Sequence, residues 1–196
     1  GTLVRDRTDN RLLPSEGDRL SFSYEQVMGD YSFGTFRTSY TIYHTVYRDA
    51  LNRKHILAGR AKFGQIFGDA PTFERFYGGG IGSIRGFEFR GISPRGTYPN
   101  GLPHDDPIGG DTMFFLGGEY TFPIVSDTLR GVVFIDSGTV ESDFELTTYR
   151  VSTGFGVRWK IPLLGPVPMS LNIGIPLIKD GSDDTEIFSF TIGARF

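Results

Sequence analysis

Strict alternation of apolar and polar residues is the feature that most constrains how this chain of 196 residues can fold. In the segment FSFTIGARF, at 188–196, an aromatic or aliphatic residue occupies every second position, and small or polar residues occupy the others. A period of two places the two sets on opposite faces of a β-strand, whereas a helix needs apolar residues about every three to four positions. The sequence therefore predicts an all-β fold.

The alternation recurs along the chain, separated by connectors of two lengths. We predict nine strands, at about 2–8, 19–27, 35–47, 55–67, 114–124, 129–138, 150–160, 170–175 and 188–196. The short connectors are 11–18, 48–54, 125–128 and 161–168, and the longer ones are 28–34, 68–111, 139–149 and 179–186. Short turns at one end and long loops at the other are typical of outer-membrane barrels. No stretch approaches the ~20 apolar residues of a membrane helix.

The two faces of the strands predict which side meets lipid. Their polar faces combine small and charged residues, as a wet lumen allows, and Phe122, Trp159 and Phe196 lie near strand ends, as in an interfacial girdle. We expect Val133, Ile135, Phe155, Val157, Phe190 and Ile192 to face lipid, and Ser152, Gly154, Arg158 and Thr191 to face the lumen. On pattern alone, a soluble β-sandwich with the opposite orientation stays open.

Residues that carry enzymatic chemistry are scarce. The chain has no cysteine, so it has no thiol nucleophile and no zinc-thiolate site. Its three histidines, His44, His55 and His104, are far apart and lack the spacing of a zinc hydrolase, and no nucleophile-elbow motif is present. A net charge of −3 gives no electrostatic basis for binding nucleic acid. We therefore expect that the chain has no catalytic residue, binds no metal or cofactor, and is not an enzyme.

The connector 68–111 contains the glycine-rich run GGGIGSIRGF, at 78–87. A loop of this length is rarely without a function in a compact domain, and glycines permit close backbone approach. Arg85 could then reach carboxylates on the barrel wall. The strand periodicity places Glu119 and Asp136 on the lumen side. From the residues alone, a solvated Arg85 is the alternative.

Several segments resemble the C-terminal barrel of BamA-type outer-membrane protein assembly factors. FYGGGIGSIRGFEFRGISPR, at 76–95, is similar to the family's loop motif, with its Ile-Arg-Gly-Phe core. GVVFIDSGTV, at 131–140, is similar to its Phe-x-Asp-x-Gly strand. RDRTDNRLLPSEGDRLSFS at 5–23, the segment 151–177 and the terminal FSFTIGARF follow in the expected order. The resemblance covers essentially all of the chain.

The resemblance implies roles for particular residues. Arg85, with Gly86 and Phe87, would dock inside the barrel on Glu119 and on Asp136 of the strand motif that ends at Gly138. The terminal strand would supply a β-signal and one side of a lateral seam; its residues are Phe188, Phe190, Ile192, Gly193 and Phe196. Gly174 and Gly193 could weaken strand pairing there, or could simply be neutral residues facing the lumen.

The resemblance also implies an architecture and a function. We expect 1–196 to be a single domain, an antiparallel transmembrane β-barrel portion with about nine of roughly sixteen strands. The periplasmic POTRA domains and the first barrel strands would be absent from this chain. The expected function is assembly and insertion of outer-membrane β-barrel proteins without covalent chemistry, in the bacterial outer membrane. The expected partners are outer-membrane lipid, unfolded barrel clients and accessory lipoproteins. The alternatives are a polypeptide-secreting transporter of the two-partner type and a soluble β-rich binding module.

Overall fold

Strands account for most of the described residues. The computed structural model describes residues 1–11, 13–97, 103–126, 128–144, 146–160 and 168–192. Within these ranges, no helix is long and apolar enough to cross a membrane. The strands are β1 (Thr2–Asp6), β2 (Gly17–Val27), β3 (Phe33–Arg48), β4 (Lys54–Gly68), β5 (Arg95–Thr97), β6 (Pro103–Pro107), β7 (Thr112–Ser126), β8 (Leu129–Glu141), β9 (Arg150–Lys160), β10 (Pro168–Ile178) and β11 (Phe188–Ile192).

Nine of these strands form one antiparallel sheet in the order β1-β2-β3-β4-β7-β8-β9-β10-β11. The nine-stranded antiparallel architecture predicted from the alternation is confirmed, and most boundaries shift by a few residues. The first connector differs most, because β2 begins at Gly17 and the connector covers 7–16 rather than 11–18. The hairpin β5–β6 inside the long connector is not predicted by the sequence pattern, since its strands are short and rich in proline and glycine.

The sheet has one apolar, exposed face and one polar, covered face. Val133, Ile135 and Phe155 are exposed on the outer face, as are Phe190 and Ile192. Their neighbours along the strands point the other way, and Ser152 is completely buried. An exposed apolar face and a buried polar face are what a barrel in lipid requires, so the predicted orientation is confirmed.

The buried core lies between the inner face of the sheet and the long connector that folds over it. Phe33, Ile66 and Phe115 contribute from the strands, and Ile84, Phe87 and Ile92 contribute from the connector. The connector takes the place that a second sheet has in a β-sandwich. The sandwich alternative is therefore wrong for this chain.

Two edges bound the nine-stranded sheet. In the described residues, β1 pairs only with β2, and β11 pairs only with β10. The backbone groups on the outer side of each edge strand are available to another strand. Gly193 and Phe196, which belong to the predicted β-signal, lie outside the described residues.

Candidate functional site

The segment 76–92 folds back on itself under the inner face of the sheet. Backbone bridges join Phe76 to Gly110 and Gly78 to Ile92, and the amide of Gly80 donates to the carbonyl oxygen of Phe87 at 2.9 Å. These bonds close a compact loop whose tip holds the Ile-Arg-Gly-Phe tetrad. Ile84 and Phe87, on either side of the Arg-Gly pair, are buried in the core and fix the tetrad in place.

Arg85 reaches both carboxylates that the strand periodicity singles out. Its Nε donates to Oδ2 of Asp136 at 2.7 Å, and its Nη2 donates to Oδ1 at 3.1 Å, which makes a bidentate pair. Its backbone amide also donates to Asp136 Oδ2, at 3.2 Å, and its Nη1 donates to Glu119 Oε2 at 2.8 Å. All three side chains are buried. A buried charge needs such pairing, because removal from water is costly for an isolated ion.

An aromatic ring completes the binding pocket of the guanidinium. The Arg85 Cζ lies 3.5 Å from the ring centroid of Phe134, which shares the inner face of β8 with Asp136. A guanidinium stacked on a desolvated aromatic ring gains a cation–π attraction of roughly 2 kcal/mol. The sequence contains the signal for this contact, since Phe134 and Asp136 are two positions apart on one strand.

Each carboxylate also has a second cation. Arg60 of β4 places its Nη2 3.6 Å from Asp136 Oδ1. Arg158 of β9 holds Glu119 with two contacts, 2.5 Å from Nη1 to Oε1 and 2.8 Å from Nη2 to Oε2. Three buried or half-buried guanidiniums therefore share two carboxylates.

Two cations of β4 also hold the backbone of the glycine-rich loop. Arg60 Nη2 donates to the carbonyl oxygen of Ser83 at 2.9 Å, and Lys62 Nζ donates to that of Gly82 at 2.7 Å. Sequence reasoning missed both residues. The alternation along β4 places both side chains on its inner face. It does not show the path of the loop whose carbonyl groups they contact.

The tetrad's glycine touches the sheet near its last strands. The backbone of Gly86 has a φ of +94° and lies so close to Gly174 of β10 that a Cβ on Gly174 would be 2.6 Å from the Gly86 nitrogen. Gly86 also accepts a hydrogen bond from the amide of Glu186, and the amide of Glu88 donates to the carbonyl oxygen of Asp184. The loop is therefore joined to the connector between β10 and β11. Because Gly174 has no side chain, the loop can approach β10 closely. This role differs from both predicted ones, which were weakened strand pairing and a neutral residue facing the lumen.

Gly138, the last residue of the strand motif, serves strand packing. It lies on β8 opposite Phe115, and a side chain there would collide with the carbonyl oxygen of Phe114. Only a glycine lets β7 and β8 approach in this way. Gly138 is two residues from Asp136.

The described residues of the predicted seam lie on β11. Phe188, Phe190 and Ile192 are exposed on its outer face, and they pair with Ile173, Leu171 and Met169 of β10. The edge of β11 therefore combines available backbone groups with a row of apolar side chains.

The described histidines take part in ordinary polar contacts. His44 meets Glu16 at 3.1 Å, and the ring of His55 lies 2.7 Å from the hydroxyl of Tyr120. In the part of the chain that the structure describes, no three His, Cys, Asp or Glu side chains are grouped so as to hold a metal. The buried cluster around Arg85 is suited to holding a loop by charge, because Arg85 donates to both Asp136 and Glu119.

Comparison with known proteins agrees with this architecture. Residues 1–196 match the Omp85 superfamily domain. The outer membrane protein assembly factor BamA of Nitratidesulfovibrio vulgaris is 33% identical over 206 residues, which cover 98% of this chain and 25% of that protein. The BamA of Neisseria meningitidis serogroup B is 28% identical over 161 residues, or 65% of this chain and 19% of that protein.

A solved structure has the same fold. The crystal structure of BamA from Haemophilus ducreyi lacking POTRA domains 1–3 superposes with a TM-score of 0.85 at 21% identity, over 98% of this chain and 41% of that one. This chain spans about a quarter of the length of the first curated relative. Because the superfamily domain and the N. vulgaris relative both match essentially the whole chain, the chain belongs to the Omp85 superfamily.

Proposed function

We propose that this chain is the barrel segment of an outer-membrane protein assembly factor, which inserts β-barrel clients into the bilayer without covalent chemistry. Proteins of this family reside in the bacterial outer membrane. The observation that carries the proposal is the buried Arg85, held by Asp136 and Glu119 inside a sheet whose outer face is apolar. The same tetrad and strand motif lie within the region matched by the N. vulgaris assembly factor.

The edge of β11 supports a mechanism of strand addition. A client strand could pair with its backbone and place alternate apolar side chains beside Phe188, Phe190 and Ile192. Main-chain pairing is independent of sequence, so one edge could serve many clients. Outer-membrane lipid and unfolded barrel proteins are then the partners, and accessory lipoproteins stay a prediction.

A cysteine cross-linking experiment tests the proposal, because the natural chain has no cysteine. We expect Ser189→Cys, on β11, to cross-link to single-cysteine barrel clients during their insertion into vesicles. Ser39→Cys, an inward-facing serine of β3 that is paired on both sides, is the matched control and should not. Client capture at both positions or at neither would contradict strand addition.

A transport assay separates the insertion factor from the secretion alternative. Vesicles containing the intact protein should speed the folding of barrel clients, measured by heat-modifiable migration. They should not move an extended, non-barrel polypeptide across the bilayer. Transport without faster client folding would favour a secretion pore of the same superfamily.

A further inference from the structure

A cavity of about 420 Å³ lies at the end of the sheet that carries the short connectors. The inner faces of β3, β4, β7, β8 and β9 form its walls, and the connector 7–16 closes one side. This volume falls in the range of ~300–1,000 Å³ that is usual for small-molecule sites. The cavity lies on the inner face of the sheet, and the proposed insertion mechanism does not use it.

The walls of this cavity carry a surplus of positive charge. Among the described residues, five cationic side chains from four strands line it, against two carboxylates, Asp9 and Glu119; the cations are Arg48, Lys54, Arg130, Arg158 and Lys160. The chain as a whole has a net charge of −3, so the local sign is opposite to the overall one. A concave surface lined by one sign of charge concentrates ions of the other sign.

Both carboxylates are already held by the protein. Glu119 accepts hydrogen bonds from Arg85 and Arg158, and Asp9 accepts them from the hydroxyl and amide of Ser15 and lies 3.5 Å from Lys54 Nζ. They contribute little attraction for a further cation. The electrostatic preference of the cavity is therefore for an anion.

Part of the lining is apolar. Five apolar residues from the connector 7–16, β4 and β10 contribute to it: Leu13, Pro14, Ile56, Ala58 and Pro168. An inorganic ion would leave this surface without a partner. An anion that carries a short apolar group would use both parts of the cavity.

We propose that this cavity binds a phosphate monoester with a short apolar substituent. Cations that converge from β3, β4, β8 and β9 suit a dianion with several oxygens better than a single carboxylate, which one bidentate arginine satisfies. The ligand is either a soluble phosphate ester or the headgroup of an anionic phospholipid, since both present the same chemistry. The proposal goes beyond strand addition at β11 and does not depend on it.

Calorimetric titration of the intact protein in detergent tests this site, with phenyl phosphate as the probe and inorganic phosphate for comparison. We expect saturable binding of phenyl phosphate, tighter than that of inorganic phosphate and weakened by added salt. Lys160→Gln should weaken it by about tenfold, as expected for loss of one charge-assisted contact. Lys179→Gln removes the same charge in the connector between β10 and β11, at the opposite end of β10, and should leave binding unchanged.

Two further measurements keep the result interpretable. Heat-modifiable migration shows whether each variant is folded, and Arg48→Gln is a second probe of the same cavity. Displacement of phenyl phosphate by phosphatidic acid in nanodiscs would identify a lipid headgroup as the ligand, and lack of displacement would identify a soluble ester. Absence of saturable binding to the folded natural protein would overturn the proposal, as would equal weakening in Lys160→Gln and Lys179→Gln.

Discussion

Neutralising the two members of the Arg85–Asp136 pair should not have equal effects on stability. Asp136→Asn leaves Arg85, Arg60 and Arg158 with Glu119 as their remaining carboxylate in the cluster. Arg85→Met leaves Asp136 beside Arg60 and leaves Glu119 in its two contacts with Arg158. In Arg85→Met, each carboxylate therefore keeps a cationic neighbour. The aliphatic stem of methionine can still cover Phe134.

The magnitudes follow from these contacts. Breaking a buried ion pair so that a charge lacks its partner costs about 3–5 kcal/mol, and we expect Asp136→Asn to fall in this range. Losing hydrogen bonds while the acceptors keep other donors costs about 1–3 kcal/mol, which is our expectation for Arg85→Met. The free energy of unfolding should therefore fall further in Asp136→Asn, by about 2 kcal/mol when the midpoints of the two ranges are compared.

Urea unfolding of the intact protein in lipid vesicles, with linear extrapolation to water, measures both values. The surface pair Arg5–Asp18 provides matched controls, because Arg5→Met and Asp18→Asn break an ion pair whose arginine is half exposed. Each should cost less than about 1 kcal/mol. The reasoning would be refuted if Arg85→Met destabilised the protein as much as Asp136→Asn or more.

Three further predictions use other parts of the structure. Val157→Arg, on the lipid face of β9, should lower the free energy of unfolding in vesicles by about 2–4 kcal/mol, whereas Thr191→Arg, facing the lumen, should cost less. Gly174→Val should displace the Gly86 backbone and expose the loop to added protease, while Gly181→Val, with open space around it, should not. Burial opposes ionisation of Asp9, but hydrogen bonds from Ser15 and Glu16 outweigh it and lower its pKa to about 2. Because the folded-state pKa is below the usual 3.8, Asp9→Asn should lose stability near neutral pH, and the difference from the natural protein should vanish as the pH falls from 3.8 through 2.

Strand content and the separation of each strand into two faces were readable from the sequence because they depend on a period of two, whereas the lipid-facing side and the pairing of Arg85 with the two acids rested on the resemblance to the family as well. Once Asp136 is assigned to one face of its strand, Val133 and Ile135 must lie on the other face. Glu119 lies on the same face as Asp136, on the neighbouring strand β7. Arg85 then needs only a loop long enough to reach them. The local pattern therefore separated the two faces of the strands and placed both acids on the same face.

The remaining parts of the site depend on tertiary contacts that no local pattern encodes. Arg60 and Lys62 are ordinary inward residues of β4 until the glycine-rich loop places its carbonyl groups above them. Gly174 looks like a neutral lumen residue until Gly86 approaches it. In each case the missing information was the path of the long connector, which is set by burial of Ile84 and Phe87 rather than by its own propensity.

The joining of the loop to the β10–β11 connector sets an order for folding. Arg85 must wait for Asp136, 51 residues further along the chain, and Gly86 must wait for the amide of Glu186. Contacts between segments so far apart along the chain cost more loop-closure entropy than local ones, so we expect them to form late. We expect the full set of tetrad contacts only after the last hairpin has joined the sheet, because Gly86 and Glu88 bond to its connector. Docking of the tetrad would then report that the strands β7–β11 are in place.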